Sequence, residues 1–339
     1  MADFTSALYL GLRHPGAALG DWDALTLGKP AALQEPPGGV ALAAGLAALQ
    51  GCQAASLLPS TLHLFWDLFG LLAQERLALL VDAGAYPIAR WGAERAAALG
   101  LPMQLFGRGD APAAGRLARR WRDAGRRPLI LADGYCPGAE RAPPLAQYAA
   151  IASAGGGYLV LDDTQVLGLL GPGGGGSVPL HRLAGPGVVV GASLAKGFGA
   201  PLAVLAGSAA LLRRFEAHSG TRVHTSPPST AAIRAGARAL RLNRQCGDAL
   251  RALLRQRVAQ WRGALARLGV ASRGGAFPVQ SVPLERAVDA AALHAGLRRS
   301  GVDSVLGSGA LTFLLRADHT PADIDGAVAA LQYHLLEAT

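Results

Sequence analysis

Tyr158-Leu159-Val160-Leu161-Asp162-Asp163 is an unbroken apolar run that stops on two carboxylates. A second run, Val188-Val189-Val190-Gly191-Ala192-Ser193-Leu194-Ala195-Lys196-Gly197-Phe198-Gly199, leads into a hydroxyl and then an amine. Short continuous apolar runs bounded by Gly, Asp or Ser are the pattern of strands buried on both faces. Residues 77–81, 128–132 and 202–206 repeat it, with helical patterns between most of the runs. This alternation predicts an α/β fold, a three-layer sandwich with a mainly parallel central sheet. In such sheets ligands sit beyond the carboxyl ends of the strands, so the residues that follow each strand are the ones to inspect. Asp82 with Tyr86, Asp162 with Asp163, and Ser193 with Lys196 occupy those places.

At 339 residues the chain exceeds the roughly 250–300 residues over which one core grows, so two lobes are expected. The reading divides it into an N-terminal arm over 1–35, a large domain over 36–235 and a smaller C-terminal α/β lobe over 236–339. The arm is rich in Gly and Pro and ends in Glu35-Pro36-Pro37-Gly38-Gly39. A long Ala/Arg/Leu helix is expected over 231–268, broken near 243–247. A strand at 278–282, a helix at 287–300, an apolar run at 311–315 and a helix from Pro321 to Glu337 follow it. Gly171-Pro172-Gly173-Gly174-Gly175-Gly176 lacks a strand before it and a helix pattern after it, and reads as a flexible loop, not a phosphate cradle.

The net charge of +9 raises the question of nucleic acid, but the arginines lie singly or in pairs, as at Arg116, Arg119, Arg120 and Arg122. That spacing is a solvated helix face, and nucleic acid is not expected as a partner. The excess charge suits an anionic substrate such as a phosphate or a coenzyme A thioester. No run of 18 or more uninterrupted apolar residues predicts a transmembrane helix. Met1-Ala2-Asp3-Phe4 is no signal-peptide start, and Cys52, Cys136 and Cys246 are scattered without metal-like spacing. A cytoplasmic protein without disulfides or a metal is expected.

Thirty arginines accompany only two lysines, Lys29 and Lys196, and Lys196 lies in an apolar, glycine-flanked stretch. Arg cannot replace Lys where the nitrogen must lose its proton and attack a carbonyl. Desolvation or a nearby cation lets a Lys amine do so. Lys196 is therefore a candidate Schiff-base lysine. A carboxylate on one strand end, with a Lys 34 residues later on the next, is the arrangement pyridoxal 5'-phosphate chemistry needs. The carboxylate keeps the ring nitrogen protonated, and the Lys holds the aldehyde and then moves a proton at the substrate α-carbon. A planar side chain stacks on the ring, and hydroxyls at a helix N-terminus hold the phosphate.

Six segments carry a wider likeness: Asp3-Phe4-Thr5-Ser6-Ala7-Leu8-Tyr9-Leu10-Gly11-Leu12, Ser60-Thr61-Leu62, the stretch from Asp82 to Gly92, Leu161-Asp162-Asp163-Thr164-Gln165, Ser193 to Gly199, and His224-Thr225-Ser226-Pro227-Pro228. In this order they resemble the motifs of the α-oxoamine synthases, which are fold-type-I, aminotransferase-like pyridoxal phosphate enzymes. The resemblance implies a catalytic pair, Lys196 and Asp162. It also implies cofactor contacts from Tyr86 (stacking), Ser60, Thr61 and Ser193 (phosphate) and Gln165 (ring hydroxyl). Thr225 would reach the phosphate of a neighbouring subunit, which implies a homodimer with a shared site.

The departures bear on the substrate. Gln165 and Tyr86 stand where the family has His. Ala7, Cys136 and Thr312 stand where it has an Asn, a Ser and an Arg for the amino-acid carboxylate. Arg316, four residues beyond Thr312, is the candidate substitute, so Arg316, Thr312 and Cys136 are the expected substrate contacts. The implied reaction joins an amino acid to an acyl thioester, carried by coenzyme A or an acyl carrier protein. An aminotransferase or another pyridoxal phosphate reaction is the alternative on the same scaffold, and a non-catalytic homologue is a third.

Overall fold

The structure, a computed structural model, describes residues 2–137, 142–285 and 288–337. It divides into two units. The larger holds Arg13–Cys136 and Arg141–Gln245, and the smaller is built around Met1–Leu12 and Cys246–Thr339.

The larger unit is organised on a seven-stranded sheet in the order Ala54–Leu58, Ala203–Gly207, Val188–Ser193, Tyr158–Asp162, Arg127–Asp133, Leu77–Asp82 and Met103–Phe106. Ala203–Gly207 pairs antiparallel with both its neighbours, and the other pairs are parallel. Side chains alternate between two cores. Leu79, Val81, Leu129, Leu131, Val160 and Val189 face one, where helices Thr61–Leu72 and Pro87–Ala98 contribute Leu64, Phe65, Leu68, Ala89 and Ala93. Leu80, Ile130, Leu159, Leu161 and Val190 face the other, against Ala111, Ala114 and Ala118 of Ala111–Asp123 and Leu145, Tyr148 and Ala152 of Leu145–Ala154. Burial on both faces is why the strands read as continuous apolar runs with no alternation. Ala54–Leu58 and Met103–Phe106 went unread because they are the sheet's two edges, and alanines, a glutamine and an exposed Leu105 dilute their pattern.

The helix expected to break near 243–247 runs unbroken as Thr230–Arg267. The side-chain amide of Asn243 donates to the carbonyl of Gly173 (2.9 Å). A lone interior Gly costs only about 1 kcal/mol. Buried Leu254, Val258, Trp261 and Leu265 carry the apolar stripe past it. The glycine run read as a flexible loop contains a short 3-10 turn, Pro172–Gly174, and its last three glycines are buried. Gly176 has φ +87°, and a Cβ there would collide with the carboxylate of Asp163.

In the smaller unit Val305–Gly307, Ala310–Leu314 and Val279–Pro283 form an antiparallel sheet, with helices Ala290–Arg299 and Pro321–Glu337. Its start does not behave as an arm: Ala2–Asp3 pairs in parallel with Val302–Asp303, and the carbonyl of Phe4 accepts the amide of Leu314. Phe4, fully buried, lies 6.0 Å from the Trp261 ring and 5.9 Å from Phe313. The opening residues thus complete this core, while residues 13–35 belong to the larger unit.

Candidate active site

Four neighbouring strands end on polar residues, Ser193, Asp162, Asp133 and Asp82, so the carboxyl edge of the sheet carries a row of three carboxylates and a hydroxyl. Asp133 and Asp162 are Cα register partners. Leu58 and Ser193 are both partners of Ala203, which sets Ser60 at the same edge, two residues past its strand.

Lys196 lies in the turn after Val188–Ser193. The carbonyl of Leu194 closes that turn by accepting the amides of Phe198 (3.2 Å) and Ala200 (3.2 Å). Phe198 is buried, and Gly197 packs so closely on the carbonyl of Leu167 that a Cβ could not fit. His14 adds a brace: its Nε2 donates to the carbonyl of Phe198 (2.8 Å), while its Nδ1 faces the guanidinium of Arg238 (3.1 Å). The half-buried amine lies 5.9 Å from the centre of the Tyr86 ring. Burial lowers its pKa, and the charges of Asp162 and Asp133 oppose that shift.

Asp162 is 5% exposed, and its Oδ1 accepts the amide of Thr164 (2.9 Å). Burial raises its pKa, countered by the Thr164 bonds and then by Lys196. The hydroxyl of Thr164 in turn accepts the amide of Ser193 (3.0 Å), which ties the two strand ends together. Ser193 Oγ accepts the amide of Ala195 (3.3 Å). Helix Thr61–Leu72 starts from Ser60 without a side-chain cap, because the Ser60 hydroxyl pairs with His63 Nδ1 (2.8 Å). Its first-turn amides and the Thr61 hydroxyl lie at an end that attracts anions. Gln165 is half-buried beside Thr164.

Other expected residues have different surroundings. Cys136 Sγ donates to the carbonyl of Gly84 (3.0 Å), and burial together with Asp133 pushes its thiol up to about 12, so it is a neutral donor. Thr225 ends the short helix Gly220–His224 and donates its hydroxyl to the carbonyl of Thr221 (2.7 Å). Thr312 belongs to the smaller unit, where it shares a hydrogen bond with Ser281 (2.8 Å). Arg316, expected as a guanidinium for substrate, is buried in that unit. It donates to the Asp3 carbonyl (2.7 Å), the Asp3 carboxylate (3.2 Å) and the Asp318 carboxylate (2.9 Å). Two acids already neutralise it, which corrects the expectation of a cation held for the substrate.

Asp133 is absent from the sequence-based candidates, although it ends its strand as Asp82 and Asp162 end theirs. Burial, then Asp162, pushes its carboxyl up to about 8. An acid raised from the usual 3.8 stabilises the fold fully below the lower value and loses that contribution as pH rises through the higher. Between mildly acidic and mildly alkaline pH, the wild type should therefore lose on the order of 2 kcal/mol relative to Asp133→Asn. Urea unfolding at several pH values reads this, and parallel profiles would refute it.

Among the described residues no cluster of three or more His, Cys, Asp or Glu is set to hold a metal, and no helix is long and apolar enough to cross a membrane.

With this geometry in hand, the chain was compared with known proteins. No family model matches it. It is 32% identical over 270 residues to the 8-amino-7-oxononanoate synthase of Thioalkalivibrio sulfidiphilus, covering 76% of this chain and 65% of that one. To the synthase of the same name from Alkalilimnicola ehrlichii it is 32% identical over 246 residues, covering 68% and 61%. The chain is a relative of the 8-amino-7-oxononanoate synthases. It spans less than two thirds of the length of these synthases. Among solved structures, a serine palmitoyltransferase with PLP superposes with a TM-score of 0.88 at 16% identity, over 99% of this chain and 87% of that one. The 8-amino-7-oxononanoate synthase of Francisella tularensis superposes with a TM-score of 0.77 at 15% identity, over 99% and 98%. The fold is the fold-type-I, aminotransferase-like fold of these synthases.

Proposed function

We propose that the chain is a pyridoxal 5'-phosphate-dependent transferase that condenses an amino acid with an acyl thioester, the reaction implied by its likeness to the 8-amino-7-oxononanoate synthases. One observation carries the reading: the amine of Lys196 lies within the field of two strand-end carboxylates, Asp162 and Asp133, and 5.9 Å from the ring of Tyr86. The donor set suits the cofactor. Lys196 offers an amine to an aldehyde, buried Asp162 a carboxylate to a ring nitrogen, and Tyr86 a flat, 54% exposed face. Ser60, Thr61, Ser193 and the uncapped amides of Thr61–Leu72 offer hydrogen-bond donors to a phosphate.

When bound, the cofactor supplies an electron sink for charge at the substrate α-carbon. The chain's own groups do the rest. Asp162 holds the proton on the ring nitrogen, and its burial strengthens that attraction. Lys196 Nζ receives the proton leaving the α-carbon, which requires the neutral amine that its desolvation favours. The amide of Gln165 would offer the ring hydroxyl a hydrogen bond without titrating. Thr225 would serve the site of a second copy, which makes the working form a homodimer, in the cytoplasm. The acyl donor is a thioester of coenzyme A or of an acyl carrier protein.

Tyr86→Ala should weaken cofactor binding by about 0.5–1.5 kcal/mol, severalfold in the dissociation constant, while leaving the fold intact. Equilibrium dialysis measures it, and unchanged affinity would remove Tyr86 from the ring. The reaction itself is tested by mixing the loaded chain with amino acids and thioesters, separately and together. Thiol release that needs both substrates supports the synthase. Full conversion of the cofactor to its amine form by the amino acid alone would make the chain an aminotransferase.

A further inference from the structure

The strand-end carboxylates are of two kinds. Asp82 is absorbed by its surroundings: it accepts the amides of Gly84 (2.7 Å) and Gly109 (3.0 Å) and the hydroxyl of Tyr148 (2.6 Å). Asp133 instead reaches across to the next loop. Its Oδ1 accepts the main-chain amide of Tyr86 (3.0 Å), and its Oδ2 receives the thiol of Cys136 at 3.8 Å. Tyr86 is the N-cap of Pro87–Ala98, and Pro87 has no amide to give, so this bond fixes the chain where it enters the helix. Packing does little there, since Tyr86 is 54% exposed. A shift of its main chain is passed to the ring through the Cα–Cβ and Cβ–Cγ bonds.

We propose that Asp133 is a positioning residue of this site, one that anchors Tyr86 through its main chain and, together with Asp162, sets the proton affinity of Lys196. The inference rests on the role of Lys196 proposed above. The groups that face Asp133 are Asp162 and Asp82 on the flanking strands, Cys136 on its own loop, and Lys196 beyond the Val188–Ser193 strand. The charge of Arg108 acts on Cys136 in the opposite sense to Asp133. Two like charges oppose ionisation of Asp133 and one cation favours it, so its charge and that of Lys196 are linked. Among the described residues, Asp162 and Asp133 are the carboxylates whose charge acts on Lys196. Removing the Asp133 charge therefore changes the amine while leaving the Asp162 side chain in place.

The test uses the full chain without added cofactor and exploits its two lysines. Exposed Lys29 is an internal standard for trace acetylation with acetic anhydride, read by mass spectrometry from about pH 6 to about pH 10. Asp133→Asn keeps an oxygen for the Tyr86 amide and removes the charge. The Lys196-to-Lys29 labelling ratio in mildly alkaline buffer should then rise about three- to tenfold, because the amine loses its proton more readily. Asp133→Ala removes the anchor as well, and pyridoxal 5'-phosphate should dissociate from it at least about threefold more readily than from Asp133→Asn. A labelling ratio unchanged in Asp133→Asn, or equal cofactor affinity in the two variants, would overturn the proposal. Should Asp133→Ala not fold, the Asn labelling decides alone. Failure of the functional reading has a separate signature, cofactor attachment that survives loss of Lys196.

Discussion

Lys196→Ala should abolish turnover, with a loss on the order of 10⁴-fold or more, while the chain stays folded. The side chain is half-buried and makes its contacts through charge, so truncation leaves no large apolar void. What disappears is the nitrogen that holds the aldehyde and receives the α-proton. Lys196→Arg separates the amine from its charge. Arg keeps a cation near Asp162 and Asp133 but cannot give up its proton at working pH, so it should be as inactive as Ala. Activity retained in the Arg variant would mean that the position supplies only charge. Lys29, exposed and hydrogen-bonded to Gln34 (2.9 Å), should tolerate either change.

Asp162→Asn should lower kcat by about 10²–10³-fold and leave unfolding stability equal or raised. The two effects point in opposite directions for one reason. Burial makes the ionised carboxylate costly in the unloaded chain, which is why its pKa is raised. Asparagine keeps the acceptor for the amide of Thr164 and drops that cost. With the cofactor bound, the same charge is what keeps the ring nitrogen protonated, and a neutral amide cannot do so. A structural role for Asp162 predicts the reverse, lost stability with activity falling only in proportion. Denaturant unfolding and steady-state kinetics on one preparation separate the two.

The large unit was legible because its central strands are buried on both faces, and two-sided burial writes itself into the sequence as runs such as Val188-Val189-Val190. The edge strands were not, since an edge needs no such run. The helix through Asn243 defeated a local reading, because Asn243 finds a partner in Gly173, seventy residues away, and buried Leu254, Val258, Trp261 and Leu265 carry the helix past it. At the site, Lys196 and Asp162 stood out by residue type and strand-end position. Asp133 shared that position and was missed because an Asp before a Gly also makes an ordinary turn. Arg316 shows the opposite failure. Its place four residues beyond Thr312 suggested a substitute cation, but Asp318, two residues on, and Asp3, from the other end of the chain, neutralise it, and nothing in the local sequence announces the second pairing.

Borohydride reduction of the chain saturated with pyridoxal 5'-phosphate, followed by peptide mapping, tests the central claim most directly. The account predicts one covalent adduct, on the peptide carrying Lys196, and none in Lys196→Ala. An adduct confined to Lys29, or one that persists in Lys196→Ala, would contradict it.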